Sequence, residues 1–267
     1  MQERQKDRTR YFRELAETSE RYFMPYIGRF RPIEPGLRVL EIGCGDGGNL
    51  LPFARHGCRV LGVDMAASRI DVARAQFQAA GAEGEFIASD IFKLTEFRHR
   101  FDLILCHDVI EHIGDKALFL RNIKDYLAPD GLLFMSFPAW QMPFGGHQQI
   151  CRSRVLSHLP WFHLLPSWLY KSLLQSFGET AGVVDELLSI KQTRCPIETF
   201  ERHARNERFV TIDRLLWFIN PQTMLPVCMG VILWMSLGTG FLSFVAGLQG
   251  VDRSQYEAGM VDGVKNR

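Results

Sequence analysis

An apolar run near the start of the chain, VLEIGCGDGGNL, ends in glycines that are flanked by acidic residues. The glycines satisfy the spacing G-x-G-x-x-G, which cradles a dinucleotide pyrophosphate, with Gly43, Gly45 and Gly48. A pyrophosphate site needs backbone N–H groups and a helix N-terminus, and nearby carboxylates repel its charge. Glu41 and Asp46 therefore favour a ligand that carries a positive charge. Asp46 has a second interpretation, as the N-cap of the helix that follows.

Acidic residues also end the next two apolar runs. Asp64 closes CRVLGVD and can accept both hydroxyls of a ribose, and Asp90 follows GEFIAS, where an adenine amine needs an acceptor. NAD-binding folds also place an acid ~20 residues beyond the loop, so Asp64 alone does not distinguish NAD from a nucleoside that carries a positive charge. Glu41 and Asp90 do distinguish these two kinds of cofactor. A cation, a ribose and an adenine together indicate S-adenosylmethionine as the cofactor.

Short apolar runs and helical stretches alternate along the part of the chain that must position these residues. The runs LRVLEIG, CRVLGVD, GEFIAS, FDLILC and LLFMSFP are separated by NLLPFARHG, AASRIDVARAQFQAAG and DKALFLRNIKDYLAPDG. This pattern is typical of a parallel sheet that is covered on both faces, with all carboxyl ends at one ligand-binding edge. We predict an α/β fold: a doubly wound, Rossmann-like, mostly parallel sheet with helices on both faces and a helical lid insertion.

Four segments resemble successive motifs of the class I S-adenosylmethionine-dependent methyltransferases: VLEIGCGDGG, VLGVDMA, IASD and FDLILCHDVIEHI. The Glu-His pair of the last motif and the turn LAPDGLLFMSFP are similar to the small-molecule, ubiquinone-biosynthesis-methyltransferase-like branch. The resemblance implies how the cofactor is bound: the methionine part by Glu41, Gly43 and Gly45, the ribose by Asp64, the adenine by Met65, Asp90 and Ile91, and the sulfonium by His107.

Methyl transfer to a hydroxyl needs alignment, desolvation and removal of a proton. His147 lies in the loop PAWQMPFGGHQQ, which follows the fifth strand on the ligand edge, and a histidine near its ordinary pKa suits proton abstraction. His107 and His112 are the other predicted catalytic residues, and Asp108 and Glu111 are further candidate bases. Each of these residues could instead have a structural role; His147, for example, could pin its own loop to backbone carbonyls. Some methyltransferases also need no base.

The chain after the fifth strand predicts a substrate lid. RSRVLSHLPWFHLLPSWLYKSLLQSFGE is dense in aromatic and apolar residues, which suits an aromatic or lipid-like acceptor or docking on a membrane surface, although such a lid could also pack on its own core. The predicted organisation is an N-terminal helical cap over 1–36, a cofactor-binding core over 37–138, a substrate loop and lid over 139–208, and a last strand region with an apolar segment over 209–267.

The segment 227–248, VCMGVILWMSLGTGFLSFVAGL, is uncharged and as long as the ~20 residues that span a bilayer. A buried strand or hairpin stays open as the other interpretation. The predicted location is therefore cytoplasmic, with membrane association through this segment left open. The charged N-terminus has no apolar core and does not resemble a signal peptide.

The composition of the chain limits the classes of ligand and partner that it is expected to bind. The net charge is +1, and no basic stripe or Asn/Asp-Pro-Pro-aromatic tetrapeptide indicates nucleic acid. Six scattered cysteines without a C-x-x-C pair predict no metal site and no disulfides, as in a reducing cytosol. We predict a methyltransferase that acts on a small molecule, with O-methylation favoured and the oligomeric state open. The alternatives are an NAD-dependent oxidoreductase and a catalytically silent, cofactor-binding regulatory protein.

Overall fold

A computed structural model of the chain describes residues 7–94 and 97–216. In this part, parallel strands form one five-stranded sheet in the order β3-β2-β1-β4-β5. The strands are β1 (Arg38–Ile42), β2 (Arg59–Asp64), β3 (Glu85–Ala88), β4 (Phe101–His107) and β5 (Leu127–Ser136). The strand order reverses between β1 and β4, and open sheets bind ligands at the carboxyl ends beside such a reversal. The sheet confirms the predicted fold class.

Alternate side chains of the strands enter different cores because successive residues of a strand face opposite sides. The helices are α1 (Arg8–Thr18), α2 (Met24–Gly28), α3 (Leu51–Arg55), α4 (Ala67–Ala79), α5 (Lys116–Tyr126), α6 (Arg154–His158), α7 (Ser167–Ser176), α8 (Ala181–Thr193) and α9 (Ile197–Asn206). One core joins Val39 of β1 to residues of α1, α3 and α4. The other joins Leu40 to residues of α5 and α9, so helices cover both faces of the sheet.

The N-terminal segment forms the predicted helix, and the helix lies on the glycine loop. A π-helical turn, Ser19–Phe23, connects α1 to α2 without a break. A Cβ atom built on Gly48 would lie 2.6 Å from the Cβ of Leu15, and the Ser19 hydroxyl donates to the carbonyl of Asn49 at 2.7 Å. These contacts bring the N-terminal helix onto the edge where the candidate site lies.

The helix predicted to run to residue 131 is shorter than the sequence suggests. α5 ends at Tyr126, and Leu127 pairs with Phe101 at the start of β5 before the register shifts. Pro129 explains this end, because a proline moves the residue before it out of the helical region and supplies no N–H. The additional residues of β5 between Leu127 and Leu132 form an irregularity in its pairing with β4.

The chain from 139 to 208 contains α6 to α9 and a separate apolar core, which includes Phe162, Tyr170 and Leu187. The contacts support packing on its own core for α6, α7 and α8, whereas α9 packs on the core of the sheet. Several large apolar side chains of the same segment stay exposed, among them Trp161, Leu164 and Trp168.

The C-terminal predictions fall mostly outside the described residues. The compact unit that holds the sheet ends at Val210. Residues 209–216 form neither helix nor strand, so the strand predicted at RFVTIDRLLWFIN is absent from its described part. The apolar segment 227–248 lies wholly outside. Among the described helices, none combines the length and hydropathy that crossing a membrane requires.

Candidate active site

The glycine loop follows β1 and needs its glycines for steric reasons. Gly43 and Gly45 adopt φ values of 70° and 53°, in the left-handed region that side chains disfavour. A Cβ atom on Gly43 would lie 2.4 Å from a methyl carbon of Val109. The N–H of Gly43 donates to the Val63 carbonyl at 2.8 Å, and that of Gly45 donates to Asp64 Oδ2 at 2.9 Å. Their carbonyl groups and α-carbons therefore remain for the predicted cofactor contacts.

Asp64 lies at the carboxyl end of β2, beside the glycine loop. Its Oδ1 accepts from the N–H of Ala66 at 2.8 Å while its Oδ2 accepts from Gly45, so the carboxylate is held by two backbone donors. Each oxygen retains a lone pair for a ribose hydroxyl. The next residue, Met65, is apolar and exposes 78% of its surface; its contact with an adenine ring stays a prediction.

Asp46 pairs with two arginines and caps no helix. The turn Gly48–Leu50 is preceded by Gly47, in the left-handed region at φ 81°, and has no side-chain cap. The buried Asp46 carboxylate lies 3.2 Å from Arg8 Nη1 and 3.3 Å from Arg69 Nε. The capping interpretation is therefore wrong, because Gly47 takes the cap position and the Asp46 carboxylate forms ion pairs with Arg8 and Arg69.

Arg69 lies against the glycine loop. Its guanidinium nitrogen would be 2.8 Å from a Cβ atom on Gly45. Burial lowers the pKa of Arg69, but the charges of Asp46 and Asp64 outweigh burial and raise it. The guanidinium thus stays charged between two carboxylates.

Glu41 is buried near the end of β1, with 1% of its surface exposed. Its Oε1 accepts from the amide nitrogen of Asn49 at 2.7 Å, whereas its Oε2 and the amide oxygen of Asn49 have no hydrogen-bond partner. Burial raises the pKa of Glu41 to about 8, against the lowering effect of the Asn49 bond. When Glu41 is ionised, two buried acceptors of this pair therefore lack a donor.

Asp90 and Ile91 follow β3. The Asp90 carboxylate accepts from the N–H of Phe92 at 3.0 Å and caps the short turn Ile91–Lys93. The side chain of Ile91 is buried in the second core, and its carbonyl accepts from the Tyr126 hydroxyl at 2.6 Å. The role predicted for Ile91 at the adenine edge is therefore restricted to its backbone.

His107 ends β4 and faces the N-terminal helix. Its ring makes an edge contact with Phe23 at 5.2 Å between centroids, and its Nδ1 lies 3.2 Å from the Ser136 hydroxyl. Its Nε2 lies 3.5 Å from Asp108, which adopts a positive φ of 55°. Such backbone strain is most common at functional sites.

Glu111 joins the two other predicted catalytic histidines. The carboxylate is buried, and its Oε1 lies 3.3 Å from His147 Nε2 and 3.9 Å from His112 Nε2. Burial lowers the pKa of both histidines. For His147, the hydrogen bond and charge of Glu111 outweigh burial and raise the pKa, whereas for His112 burial prevails. Ligand-type atoms of the three groups lie within 4.8 Å of one another, and carboxylate and imidazole are groups that bind divalent cations, so the prediction of no metal site stays a prediction.

The loop that carries His147 is fixed by close packing. A Cβ atom on Gly146 would lie 2.1 Å from the Cβ of His163, and one on Gly145 would lie 2.3 Å from the Ala139 carbonyl oxygen. His147 itself adopts a φ of 57°. The paired glycines therefore let the loop approach its neighbours closely and aim a strained His147 at Glu111.

The structure brings the predicted residues together in two groups, Glu41 with Asp64 around the glycine loop and His112 with His147 around Glu111. Val109 connects the groups, because it touches Gly43 and directly precedes the turn of Glu111. Residues that the sequence did not identify are Arg8, Phe23, Asn49 and Arg69. Only Asn49 carried a signal, as a polar residue within an apolar stretch after the loop.

Comparison with known proteins assigns the family. The profile described as "Methyltransferase domain" matches residues 8–178 of the 267-residue chain. The chain belongs to this family. The resemblance to class I S-adenosylmethionine-dependent methyltransferases of the ubiquinone-biosynthesis branch is confirmed by this match and by the relatives below.

Three similar relatives are named ubiquinone biosynthesis O-methyltransferase. The protein of Azorhizobium caulinodans is 36% identical over 43% of this chain and 46% of its own length, and that of Bartonella bacilliformis is 33% identical over 57% and 62%. The protein of Coxiella burnetii is 38% identical over 55% and 64%. The methyltransferase chain thus spans less than two thirds of each of these relatives. A solved structure, phosphoethanolamine N-methyltransferase 2 of Haemonchus contortus, shares 21% identity over 89% of this chain and 46% of its own, with a TM-score of 0.49.

Proposed function

We propose that the protein transfers the methyl group of S-adenosylmethionine to a hydroxyl of a small aromatic or lipid-like acceptor. The family and the O-methyltransferase names of the relatives support a methyl transfer to oxygen. Asp46 is already paired with arginines, but Glu41, whose Oε2 has no hydrogen-bond partner, and Asp64 beside the glycine loop support a cationic nucleoside in place of a dinucleotide. Neither comparison nor geometry supports the NAD-dependent alternative. The catalytically silent alternative gains no supporting observation either.

The pairing of His147 with the buried Glu111 is the observation that carries this proposal. With its Nε2 held by the carboxylate at 3.3 Å, His147 has its other ring nitrogen for a proton of the acceptor. A hydroxyl that loses its proton to this nitrogen can attack the methyl carbon, and the bound cofactor supplies that carbon on a sulfonium leaving group. Glu111 would then hold the imidazole in orientation and stabilise the imidazolium that forms.

The cofactor would rest on the other group of residues. Asp64 would take the ribose, Glu41 the methionine ammonium, and Asp90 the adenine, with Met65 covering the ring. His107, which faces Phe23 and Ser136 beside the glycine loop, would border the sulfonium. His112, with its lowered pKa, would stay neutral next to the base.

The organisation of the chain follows the same proposal. Residues 37–138 would bind the cofactor under the N-terminal cap 1–36, and residues 139–208 would cover the acceptor. The exposed side chains of Trp161, Leu164 and Trp168 in this lid suit an acceptor with a lipid-like part or a membrane surface. The last strand region and apolar segment over 209–267 stay a prediction, and the scattered cysteines of the sequence support a cytoplasmic location.

The test is turnover with methyl-labelled S-adenosylmethionine and a panel of phenolic acceptors, including prenylated ones in detergent micelles. We expect labelled ether product with at least one phenol. His147→Asn should lower kcat by about 10²–10⁴-fold, the usual contribution of general base catalysis. His56→Asn is the matched control, because His56 is exposed at the end of α3 on the opposite edge of the sheet. Equal loss in both variants, or no product with any phenol, would refute the proposal.

A further inference from the structure

The carboxylate of Glu41 and the amide of Asn49 form a buried polar pair at the ligand edge of the sheet. Glu41 belongs to β1, and Asn49 lies in the turn Gly48–Leu50 that follows the glycine loop. One hydrogen bond of 2.7 Å joins them, from the Asn49 nitrogen to Glu41 Oε1. This bond leaves two acceptors, Glu41 Oε2 and Asn49 Oδ1, buried and without donors.

A proton on the Glu41 carboxyl supplies one donor in the free protein, whereas the ionised carboxylate would leave both atoms without one. Buried acceptors without donors are rare in folded proteins, since each costs the desolvation of a polar atom. An ammonium group carries three N–H donors and one positive charge, so it can satisfy both atoms and neutralise the carboxylate at once. A hydroxyl or a neutral amine supplies no such charge. The pair therefore has the chemistry of an ammonium receptor.

We propose that Asn49 is a positioning residue that aims Glu41 at the ammonium group of the cofactor, and that the cofactor displaces a proton from Glu41 as it binds. The proposal rests on the proposed function, because it assumes an S-adenosylmethionine-type nucleoside. It adds a residue and a proton that the cofactor contacts inferred from the motifs do not contain. The proton leaves the Glu41 carboxyl for the solvent, and the ammonium of the ligand keeps its own protons.

The surroundings of Glu41 keep it protonated until a cation arrives. Burial raises the pKa of the Glu41 carboxyl to about 8, the Asn49 bond lowers it, the charge of Asp64 raises it, and Arg69 lowers it. Two neighbouring thiols, Cys44 and Cys106, have pKa values raised by their own burial and stay protonated. A carboxyl with a pKa of about 8 is mostly protonated at pH 7, so a proton is available for release.

The N-terminal helix covers the turn that carries Asn49. The Ser19 hydroxyl donates to the backbone carbonyl of Asn49, and Phe12 and Leu15 crowd the α-carbon of Gly48. These contacts hold the turn of Asn49 in position and leave its amide free to orient Glu41. They also separate the pair from bulk water, which strengthens its attraction for a cation.

The primary experiment is calorimetry at pH 7 in buffers of different ionisation enthalpy, with two nucleosides. S-adenosylhomocysteine carries the ammonium, and 5′-methylthioadenosine lacks it. We expect proton release with the first nucleoside and none with the second. Glu41→Gln should abolish the release, and Asn49→Ala should weaken the first nucleoside about tenfold while leaving the second within twofold. Asn122→Ala, on α5, is the matched control and should change neither.

Two results would overturn the proposal. Binding of S-adenosylhomocysteine without proton release would show that Glu41 is already ionised, while the proposed function would stand. Equal weakening of both nucleosides by Asn49→Ala would show that Asn49 merely supports the loop.

A measurement without any cofactor covers the case in which neither nucleoside binds, an outcome that would refute the proposed function. The unfolded chain loses its Glu41 proton near pH 4.5, whereas the folded protein keeps it to about pH 8, so this group makes stability fall as pH rises between these values. The urea midpoint of the wild type should therefore decline more steeply from pH 5.5 to 7.5 than that of Glu41→Gln. Parallel declines would refute the protonated Glu41.

Discussion

Replacing Gly146 by alanine tests whether close packing of the loop that carries His147 aims the proposed base. The new Cβ atom would lie 2.1 Å from the Cβ of His163 and 2.5 Å from its Cγ, far inside contact distance. His163 is fully buried, and its Nε2 donates to the Trp140 carbonyl at 2.8 Å, so the ring cannot withdraw without breaking that bond.

The expected cost follows from these contacts. Overpacking a close-packed site costs about 1–3 kcal/mol, and loss of the His163 bond adds about 1 kcal/mol. Gly146→Ala should therefore lower the free energy of unfolding by about 2–4 kcal/mol. Since the loop also carries His147, kcat should fall by as much as about 10²-fold, the effect of a displacement near 1 Å.

Urea unfolding and steady-state kinetics measure the two effects, and Gly182→Ala is the matched control. Gly182 lies in α8 with no atom within 4 Å of a built Cβ, so its replacement should stabilise the protein by a few tenths of a kcal/mol to about 1 kcal/mol. The affinity for S-adenosylhomocysteine should stay within about twofold in both variants, because neither glycine touches the cofactor loop. A Gly146→Ala protein as stable and as active as the control would refute the reasoning.

Three further predictions concern the carboxylates. Glu111→Gln removes the hydrogen bond and charge that raise the pKa of His147, so the acidic limb of kcat/KM should move to lower pH; a limb that stays in place would contradict the pair. Asp64→Ala should weaken S-adenosylhomocysteine by about 1–3 kcal/mol, roughly 5- to 150-fold in calorimetry, and unchanged affinity would disprove the ribose contact. Asp46→Asn removes a buried charge that is paired with the partly exposed Arg8, so we expect about 1–3 kcal/mol of destabilisation in urea and faster hydrogen exchange in α1. Exchange equal to that of the wild type would show that this ion pair does not hold α1 on the glycine loop.

The sequence by itself determined the sheet, the edge that binds the ligand and the acidic chemistry of that edge. Strand periodicity and glycine spacing are local properties, and parallel connectivity fixes where the carboxyl ends of strands meet. Glu41, Asp64 and Asp90 could therefore be placed at one rim from the order of the motifs alone. The end of α5 was missed although Pro129 marked it, since the apolar spacing continued past the proline.

Only the tertiary structure decided which side chains touch. Asp46 looks like a helix cap in sequence, yet it meets Arg8 from a helix far away along the chain. Asn49 is the hydrogen-bond partner of Glu41. Glu111 pairs with His147 because the loop after β5 packs against the turn that follows β4. Such pairings depend on how elements pack across the sheet, and burial then sets the pKa of each group. Residue spacing along the chain contains neither the packing nor the burial.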